Sequence, residues 1–389
     1  MITSFQEHLS GKLSEIDAAG LRRELRQMES AQGAKIDVGS QTLLNFSSND
    51  YLGLAGHPNL KQSAIEAVEV FGAGAGSARL ISGSLTVIHQ LEASLAAFKK
   101  VEASLSFSSG YAAALGTVPA LVGEGDVVIV DKLVHACLVD AARLSGAKLR
   151  VFKHNDLADL ERLLKWAGEF DGNTLVITES VFSMDGDIAP LGDMVKLKER
   201  YGAWLMLDEA HATGLYGKGR CGIAEEFEVA EQVEVQMGTL GKALGAAGGF
   251  ICGSQALVDL LINRARSFIY STAPVPAQAA AARRAIELVQ SVEGEILQAR
   301  LWANVDRLKN GLIKRGWKLP VVRSAILPLM VGAEGDAMAL SQRLCGAGFW
   351  VPAVRYPTVS RGEARLRITV SAAHANEDIE AFLEALGNA

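Results

Sequence analysis

Between residues 103 and 252 the sequence alternates short apolar or β-branched runs with segments of helical periodicity. This alternation is typical of a mostly parallel sheet, because each connection between parallel strands needs room for a helix. The sequence therefore predicts an α/β fold with a mostly parallel sheet of seven strands. The predicted strands are residues 103–107, 127–130, 149–152, 175–178, 204–207, 233–237 and 250–252.

The segments on either side of this alternation predict further units. Apolar positions between residues 9 and 25 predict an amphipathic N-terminal helix, followed by a polar hairpin. After Pro276, an alanine- and arginine-rich stretch predicts one long helix from residue 277 to about 313. The alternating residues 364–371 then predict a strand with one face in water. The predicted division is an N-terminal segment 1–50, a large domain 51–280 and a smaller α+β C-terminal domain 281–389.

Charge and cysteine content exclude several classes of protein. The net charge of -6 argues against a nucleic-acid partner, which would need a basic face. The four cysteines are widely spaced and form no CxxC pair, so we predict neither disulfides nor a metal site. The polar N-terminus lacks the apolar run of a signal peptide, and we expect a cytoplasmic protein.

One lysine lies in an unusually apolar stretch. Residues 235–258 contain a single charged side chain, Lys242, among glycines and alanines. Their glycine density and central lysine disfavour membrane insertion. Desolvation lowers the pKa of an amine and makes it a usable nucleophile, while glycines leave backbone N–H groups free for an anion. We therefore predict a lysine that forms a Schiff base beside a phosphate site; the alternative is a lysine that extends to solvent.

Chemically capable side chains follow several of the predicted strands. In open α/β sheets, ligands bind beyond the carboxyl ends of the strands. The turn after residue 107 leads into a helix whose first N–H groups could bind a phosphate. In chain order these side chains are Ser109, Gly110, Tyr111, Asp131, His135, Glu179, Ser183, Asp208, His211, Thr239 and Lys242.

Each of these residues also has a purely structural interpretation. Asp208 could cap a helix, His135 and His211 could be satisfied structural histidines, and Ser183 could only shape a turn. However, one strand–helix–strand unit separates Asp208 from Lys242, so both can reach one ligand. The joint occurrence favours a functional site.

The combination matches the needs of pyridoxal 5'-phosphate (PLP). This cofactor requires a lysine for the Schiff base and an acid that keeps its pyridine nitrogen protonated. Lys242 and Asp208 are the candidates, and His135 is a candidate to stack on the ring. The predicted phosphate cradle consists of Ser109, Gly110, Tyr111 and Thr239.

Five motifs carry a resemblance to a known family. FSSNDYLGL, VFSMDGDIAPL, DEAHATGLYG, GTLGKALG and RGEARLRITVSAAH occur in this order along nearly the whole chain. Together they resemble the α-oxoamine synthases, which are fold-type-I PLP enzymes. The resemblance implies a PLP-dependent transferase that condenses an amino acid with an acyl thioester and releases carbon dioxide.

The resemblance also implies substrates and partners. It favours L-alanine and a pimeloyl thioester, carried by coenzyme A or by an acyl carrier protein. Glycine with a short acyl group, or serine with a long one, remains the alternative. A homodimer with shared active sites is implied by Thr272, which matches a phosphate contact from a partner subunit.

The matching positions imply roles for individual residues. Lys242, His135 and Asp208 match catalytic positions, and His211 and Ser183 match residues near the phenolic oxygen of the cofactor. Arg367 matches the arginine that binds the amino-acid carboxylate. Further substrate-side positions are Arg22, Asn49, Arg355 and Thr358.

Three other classes of protein share some of these sequence features. DEAH also occurs in nucleotide hydrolases, but their phosphate loop needs a glycine five residues before GK, where this chain has Gln236. A dehydrogenase needs GxGxxG after a strand, whereas GAGAGSAR follows a predicted helix. A non-catalytic binding protein on the same fold is the third alternative.

Overall fold

The computed structural model describes residues 4–320 and 323–389. Helices surround a central sheet and two small ones. The α-helices are α1 Phe5–Ala18, α2 Pro58–Phe71, α3 Thr86–Lys99, α4 Gly110–Leu121, α5 Ala136–Ser145, α6 Leu157–Ala167, α7 Leu191–Arg200, α8 Ile223–Glu226, α9 Gln255–Arg264, α10 Arg266–Ile269, α11 Pro276–Val289, α12 Val292–Lys314, α13 Glu334–Gly346 and α14 Asn376–Leu386.

Three sheets contain the strands. These are β1 Lys35–Val38, β2 Gln41–Asn45, β3 Ala103–Phe107, β4 Val127–Asp131, β5 Lys148–Phe152, β6 Thr174–Glu179, β7 Trp204–Asp208, β8 Val235–Thr239, β9 Gly249–Gly253, β10 Ile326–Gly332, β11 Phe349–Trp350, β12 Ala353–Val354 and β13 Ala364–Thr369.

The central sheet has seven strands in the order β3-β9-β8-β7-β6-β4-β5. Strand β9 is antiparallel to both of its neighbours, while the pairs from β8 to β5 are parallel. All five residues of β4 are buried, as expected for a parallel strand covered by helices on both faces. The predicted fold class is confirmed, and each predicted strand overlaps an observed one.

Helices pack their apolar stripes on this sheet. In α6, the buried residues Leu160, Leu163, Leu164 and Ala167 recur at helical spacing, and Asp156 caps the N-terminus by accepting a hydrogen bond from the Asp159 amide. This packing brings the carboxyl ends of β4, β6, β7 and β8 to one edge of the sheet.

The two small sheets are built from strands that precede and follow those of the central sheet in the chain. Strands β1 and β2 form the predicted hairpin, and β11 joins β2 in parallel. Strand β13 is the middle strand of the third sheet, between β10 and β12. The division at residues 50 and 280 stays a prediction.

Three predictions about local structure were wrong. The N-terminal helix ends at Ala18, before Leu21 and Leu25, and Leu25 is fully exposed. The helix predicted over residues 277–313 is two helices, because Ser291 caps the start of α12 with its side chain.

The third error concerns β13. All six of its residues are buried, so the strand has no wet face. The two arginines on the predicted wet face are only 4% (Arg365) and 8% (Arg367) exposed. They remain buried because each finds hydrogen-bond acceptors in distant segments, as described below.

Among the helices of the described residues, none is long and apolar enough to cross a membrane.

Candidate active site

Three ionisable residues lie at one edge of the central sheet. Glu179 and Asp208 are the last residues of β6 and β7 and pair in register. Lys242 follows three residues after the end of β8. The parallel arrangement thus brings together groups that lie far apart in the sequence.

A tight loop holds Lys242 at this edge. The Ala246 amide donates to the Leu240 carbonyl at 2.9 Å, and the Gly245 amide donates to the Lys242 carbonyl at 2.8 Å. Gly245 has a φ of +62°, and a Cβ there would lie 2.5 Å from the backbone of Ala55. Only glycine fits this left-handed, crowded position.

The Lys242 amine joins a buried hydrogen-bond chain. Its Nζ lies 2.8 Å from His211 Nε2, and His211 Nδ1 lies 2.7 Å from the Tyr51 hydroxyl. Tyr51 in turn donates to Asn49 Oδ1 at 3.3 Å. Lys242 is therefore partnered inside the cleft, which contradicts the alternative of a lysine that extends to solvent.

The chain continues to Arg367 on β13. One guanidinium nitrogen of Arg367 donates to Asn49 Oδ1 at 3.0 Å and to the Tyr51 oxygen at 3.3 Å. Its Nε donates to the Ser183 carbonyl at 2.5 Å. Arg367 consequently lies close to the lysine, although 125 residues separate the two in the sequence.

Burial shifts the pKa values of these groups. Desolvation lowers the pKa of Lys242, although the nearby Asp208 and Glu179 charges oppose the shift. Burial raises the pKa of Asp208, and the Lys242 charge opposes that shift. The pKa of His211 lies well below its ordinary value, first because of burial and then because of Lys242. His211 is therefore neutral at pH 7.

His135 lies at the start of α5. Its Nδ1 accepts a hydrogen bond from the Cys137 amide at 3.3 Å, and its own amide donates to Glu179 Oε1 at 2.5 Å. Burial lowers the pKa of His135, so the ring is neutral at pH 7. Since Nδ1 is an acceptor, the proton is on Nε2, which can donate to a ligand.

The start of α4 packs closely against the end of β8 and the start of β9. Ser109 caps the helix by accepting from the Ala112 amide at 3.0 Å. A Cβ on Gly110 would lie 3.9 Å from Thr239, and a Cβ on Gly249 would lie 2.5 Å from the Gly110 amide. The N-terminus of α4 therefore lies beside Thr239, and the first turn of a helix has N–H groups without intrahelical partners.

Tyr111 and Thr272 have other contacts. The Tyr111 hydroxyl donates to Asp140 Oδ2 at 2.5 Å, and its side chain is 43% exposed. Thr272 is exposed and forms an isolated β-bridge with Ala78.

The remaining substrate-side residues form a separate cluster. Arg355 donates to the carbonyls of Gly20 and Arg22, and Thr358 accepts from Arg23 at 3.3 Å. This cluster lines a cavity of about 840 Å³, together with apolar side chains such as Trp350. Lys242, His211 and Arg367 do not line that cavity.

The residues at the sheet edge fit PLP. An amine with a lowered pKa and a buried carboxyl lie at adjacent strand ends, as the Schiff base and the pyridine nitrogen require. The N-terminus of α4 offers N–H groups to a phosphate. The donor set therefore has each type of group that the cofactor needs.

This fold and this site define a fold-type-I PLP-dependent transferase. The family model for aminotransferase class I and II matches residues 41–386. The chain belongs to that family and, within it, to the α-oxoamine synthases.

Curated relatives and a solved structure agree with this assignment. The chain is 46% identical to 8-amino-7-oxononanoate synthase of Geobacter sulfurreducens, over 97% of this chain and 96% of the relative. It is 44% identical to the enzyme of that name from Geotalea daltonii, with the same coverage. Serine palmitoyltransferase from S. paucimobilis, solved with PLP bound as a myriocin adduct, superposes with a TM-score of 0.93 at 27% identity, over 99% of this chain and 98% of that one.

Sequence reasoning missed Tyr51. It lies in the FSSNDYLGL loop, where Asp50 accepts hydrogen bonds from the Leu54 and Ala55 amides and so fixes the turn. No periodicity or spacing marks a tyrosine in a loop, and its role depends on a contact with His211, 160 positions away. The presence of Tyr51 in the FSSNDYLGL motif is the one sequence signal that could have indicated it.

Proposed function

We propose that this protein is a PLP-dependent acyltransferase that condenses L-alanine with a pimeloyl thioester. The products are 8-amino-7-oxononanoate, carbon dioxide and the free thiol, and the reaction belongs to biotin biosynthesis. The observation that carries the proposal is the hydrogen-bond chain from Lys242 through His211 and Tyr51 to Arg367, which links a buried amine to a guanidinium. This chain supports a role for Lys242 as nucleophile and for Arg367 as the group that binds the amino-acid carboxylate. The names of the curated relatives support the choice of substrates.

The cofactor is held by residues from several strand ends. Lys242 would hold it covalently through Nζ, and Asp208 would keep the pyridine nitrogen protonated. Gly110, Thr239 and the cap residue Ser109 bind the phosphate through the N-terminus of α4. His135 would stack on the ring of the cofactor, and His211 and Ser183 would hold the side that carries its phenolic oxygen. When bound, PLP supplies an electron sink for the carbanion formed at the α-carbon and for the loss of carbon dioxide.

Lys242 also moves protons. With alanine bound, the Lys242 Nζ would remove the α-proton, a role suited to an amine with a lowered pKa. Neutral His211 accepts a hydrogen bond from the protonated amine at Nε2. This contact orients Lys242 towards the cleft.

Arg367 and His135 bind the two carbonyl-bearing groups. Arg367 and Asn49 hold the alanine carboxylate, for which a guanidinium offers paired donors. His135 Nε2 donates to the oxygen of the thioester carbonyl as negative charge develops on it. The two residues thereby bring the α-carbon and the acyl carbon together.

The acyl donor approaches from the cluster of Arg22, Arg355 and Thr358. Its arginines suit the phosphates of coenzyme A or of a carrier protein's prosthetic group, and apolar walls suit the acyl chain. Tyr111 would lie near the phosphate of the cofactor, and Thr272 would reach the phosphate in a partner subunit of a homodimer.

A serine palmitoyltransferase-like activity is the second candidate. The structural similarity to the S. paucimobilis enzyme favours it, and glycine with an acetyl thioester is a third combination within the same family. All three share the chemistry at Lys242 and differ in the amino acid and the acyl chain.

A thiol-release assay tests the proposal. Alanine, glycine and serine are each combined with pimeloyl, acetyl, succinyl and palmitoyl thioesters, and the rate of thiol release is measured. We expect the highest kcat/KM for alanine with the pimeloyl thioester. A preference for glycine with acetyl, or for serine with palmitoyl, would contradict the proposed substrates and keep the family. Absence of thiol release with every pair would contradict the reaction.

A further inference from the structure

A charged cluster beside the active site joins His154 to two aspartates, of which Asp131 was named above as a strand-end residue without a role. His154 lies two residues after β5, and both of its ring nitrogens face carboxylates. Nδ1 is 2.9 Å from Asp131 Oδ1, and Nε2 is 2.8 Å from Asp187 Oδ2. A neutral imidazole has only one N–H, so two carboxylate partners require the imidazolium form.

The surroundings hold this ring in one orientation. Its centroid lies 4.4 Å from that of Phe182, at an interplanar angle of 87°. The Asn155 amide donates to Asp131 Oδ2 at 2.9 Å, and its side-chain amide donates to Asp187 Oδ2 at 2.8 Å. The side chain of Asp131 is fully buried. His154 thus bridges the end of β4 and Asp187 as a rigid, positively charged link.

Asp187 closes a turn that contacts the substrate-binding arginine. The turn spans residues 182–187, and the Phe182 amide donates to the Asp187 carbonyl at 3.0 Å. Ser183 in this turn accepts the Arg367 Nε hydrogen bond. The turn therefore holds the Nε end of the Arg367 guanidinium, while Asn49 and Tyr51 hold its other nitrogen.

The opposite side of the turn is fixed by β10 and β13. Asp185 accepts from the buried Arg365 at 2.6 Å. A Cβ on Gly186 would lie 2.4 Å from the Ile326 carbonyl, so the turn packs directly on β10. Contacts from two sides thus hold the turn: His154 and Asn155, which follow β5, bond to Asp187, and Arg365 on β13 bonds to Asp185.

We propose that His154 is a positioning residue for amino-acid binding. By bridging Asp131 and Asp187, it fixes the 182–187 turn and hence the orientation of Arg367 towards the carboxylate of the amino acid. It touches neither substrate nor cofactor, and it acts through Ser183 and Arg367. The inference rests on the proposed role of Arg367.

The test compares His154→Gln with the wild-type holoenzyme. The dissociation constant of L-alanine is measured from the change in visible absorbance of the bound cofactor, without acyl donor or turnover. We expect it to rise at least about tenfold, within the range of coupling between residues of one hydrogen-bond network. The KM of the acyl thioester and the affinity for PLP should change less than about twofold.

A double-mutant cycle shows whether the effect passes through Arg367. If His154 acts by orienting this arginine, the effects of His154→Gln and Arg367→Ala on the alanine dissociation constant will be strongly non-additive. Additive effects would overturn the proposal. A merely structural role would weaken alanine, thioester and cofactor binding alike, and that outcome would overturn it too.

Two more variants complete the design. Asp187→Asn keeps an acceptor for His154 but removes the negative charge. It should weaken alanine binding less than His154→Gln does. If His154→Gln does not fold, the alanine dissociation constant of Asp187→Asn tests the proposal instead. His57→Gln is the matched control, since His57 also contacts a carboxylate, Glu293 at 3.1 Å, in another part of the chain. It should leave alanine binding unchanged.

Failure of the positioning role of His154 can be distinguished from failure of the proposed substrate. If glycine or serine is the true substrate, the same titration is run with that amino acid, because each has the carboxylate that Arg367 would bind. Selective loss of its affinity in His154→Gln would then support the positioning role even though the proposed substrate is wrong. Unchanged affinity for the true substrate would contradict the positioning role alone.

Discussion

At the scale of single residues, the site depends on two shifted pKa values at adjacent strand ends. Burial favours the neutral amine of Lys242 and the protonated carboxyl of Asp208, whereas their mutual attraction favours the charged forms. Perturbed groups of this kind concentrate at functional sites. Each residue can be tested separately, because the two have different roles.

Lys242→Ala should abolish the Schiff base. We expect the purified variant to lack the visible absorbance of covalently bound cofactor, and thiol release to fall by about 10²–10⁴-fold or more, as for the loss of a general base. Lys196→Ala is the control, since the Lys196 side chain is 74% exposed and pairs with Asp193 on the same helix. A Lys242→Ala protein with the wild-type spectrum would show that another amine binds the cofactor.

Asp208→Asn should separate cofactor binding from catalysis. Asparagine has nearly the same shape but cannot hold a proton on the pyridine nitrogen, so the spectrum should persist while kcat falls by about 10²-fold or more. Absorbance and steady-state thiol release measure the two effects. An unchanged kcat would mean that Asp208 has a structural role, such as accepting the hydrogen bond from the Ala210 amide, and no catalytic one.

At the scale of secondary-structure elements, a buried ion pair links α3 to the segment after β7. Lys99 Nζ lies 2.5 Å from Glu209 Oε2, and both side chains are almost completely buried. Glu209 Oε1 also accepts from the Ala224 amide at 2.9 Å. Because Glu209 directly follows Asp208, this pair holds the end of β7 in place.

Lys99→Met should therefore destabilise the fold by about 3–5 kcal/mol, because it leaves the Glu209 carboxylate buried without its cation. The double variant with Glu209→Gln should recover much of the loss, since both charges are then removed. Urea unfolding followed by tryptophan fluorescence measures both effects. Equal stability of the single and double variants would contradict this explanation.

The His154 link between β5 and the 182–187 turn should give a pH-dependent stability. Burial alone would lower the pKa of His154, but hydrogen bonds and charges from Asp131 and Asp187 outweigh it and raise the pKa to about 10. These two carboxylates are the charged groups that face the ring. The folded state therefore retains a proton that the unfolded chain loses near pH ~6.5.

The sign of the effect follows from this difference. The stabilisation by His154 is fully present below about pH 6.5 and decreases as the pH rises to about 10, because the folded state binds more protons over this interval. Unfolding of wild type and His154→Gln at several pH values measures it. A stability difference that grows with pH would contradict the imidazolium assignment.

At the scale of the whole molecule, the proposed homodimer places Thr272 in the partner's active site. Size-exclusion chromatography with light scattering should give twice the mass of one chain. The contribution of Thr272 can then be tested with mixed dimers, because each site would combine Lys242 of one chain with Thr272 of the other.

We expect Thr272→Ala to weaken PLP binding and Lys242→Ala to abolish activity. Mixing the two variants under exchange conditions should create one intact site per mixed dimer, with wild-type affinity for PLP. Cofactor titration of the separated mixed species measures this. If no site recovers, Thr272 does not act across the interface.

The sequence by itself determined the strands and the edge on which the chemistry lies. Hydrophobic periodicity is a local property that the sequence shows directly. Parallel strands have their carboxyl ends at the same edge of a sheet, so Asp208, His211 and Lys242 could be grouped from the sequence alone. Element ends were less certain: α1 stops before Leu21, and a side-chain cap at Ser291 splits the predicted long helix.

Only the tertiary structure decided how the second half of the site is built. Arg367 bonds to Asn49 across 318 positions, Tyr51 to His211 across 160, and Arg365 to Asp185 across 180. Such contacts leave no periodic trace in the sequence, because they depend on how separate sheets pack. The alternation in β13 predicted a wet face, and packing instead buried its arginines against acceptors that no local pattern could reveal.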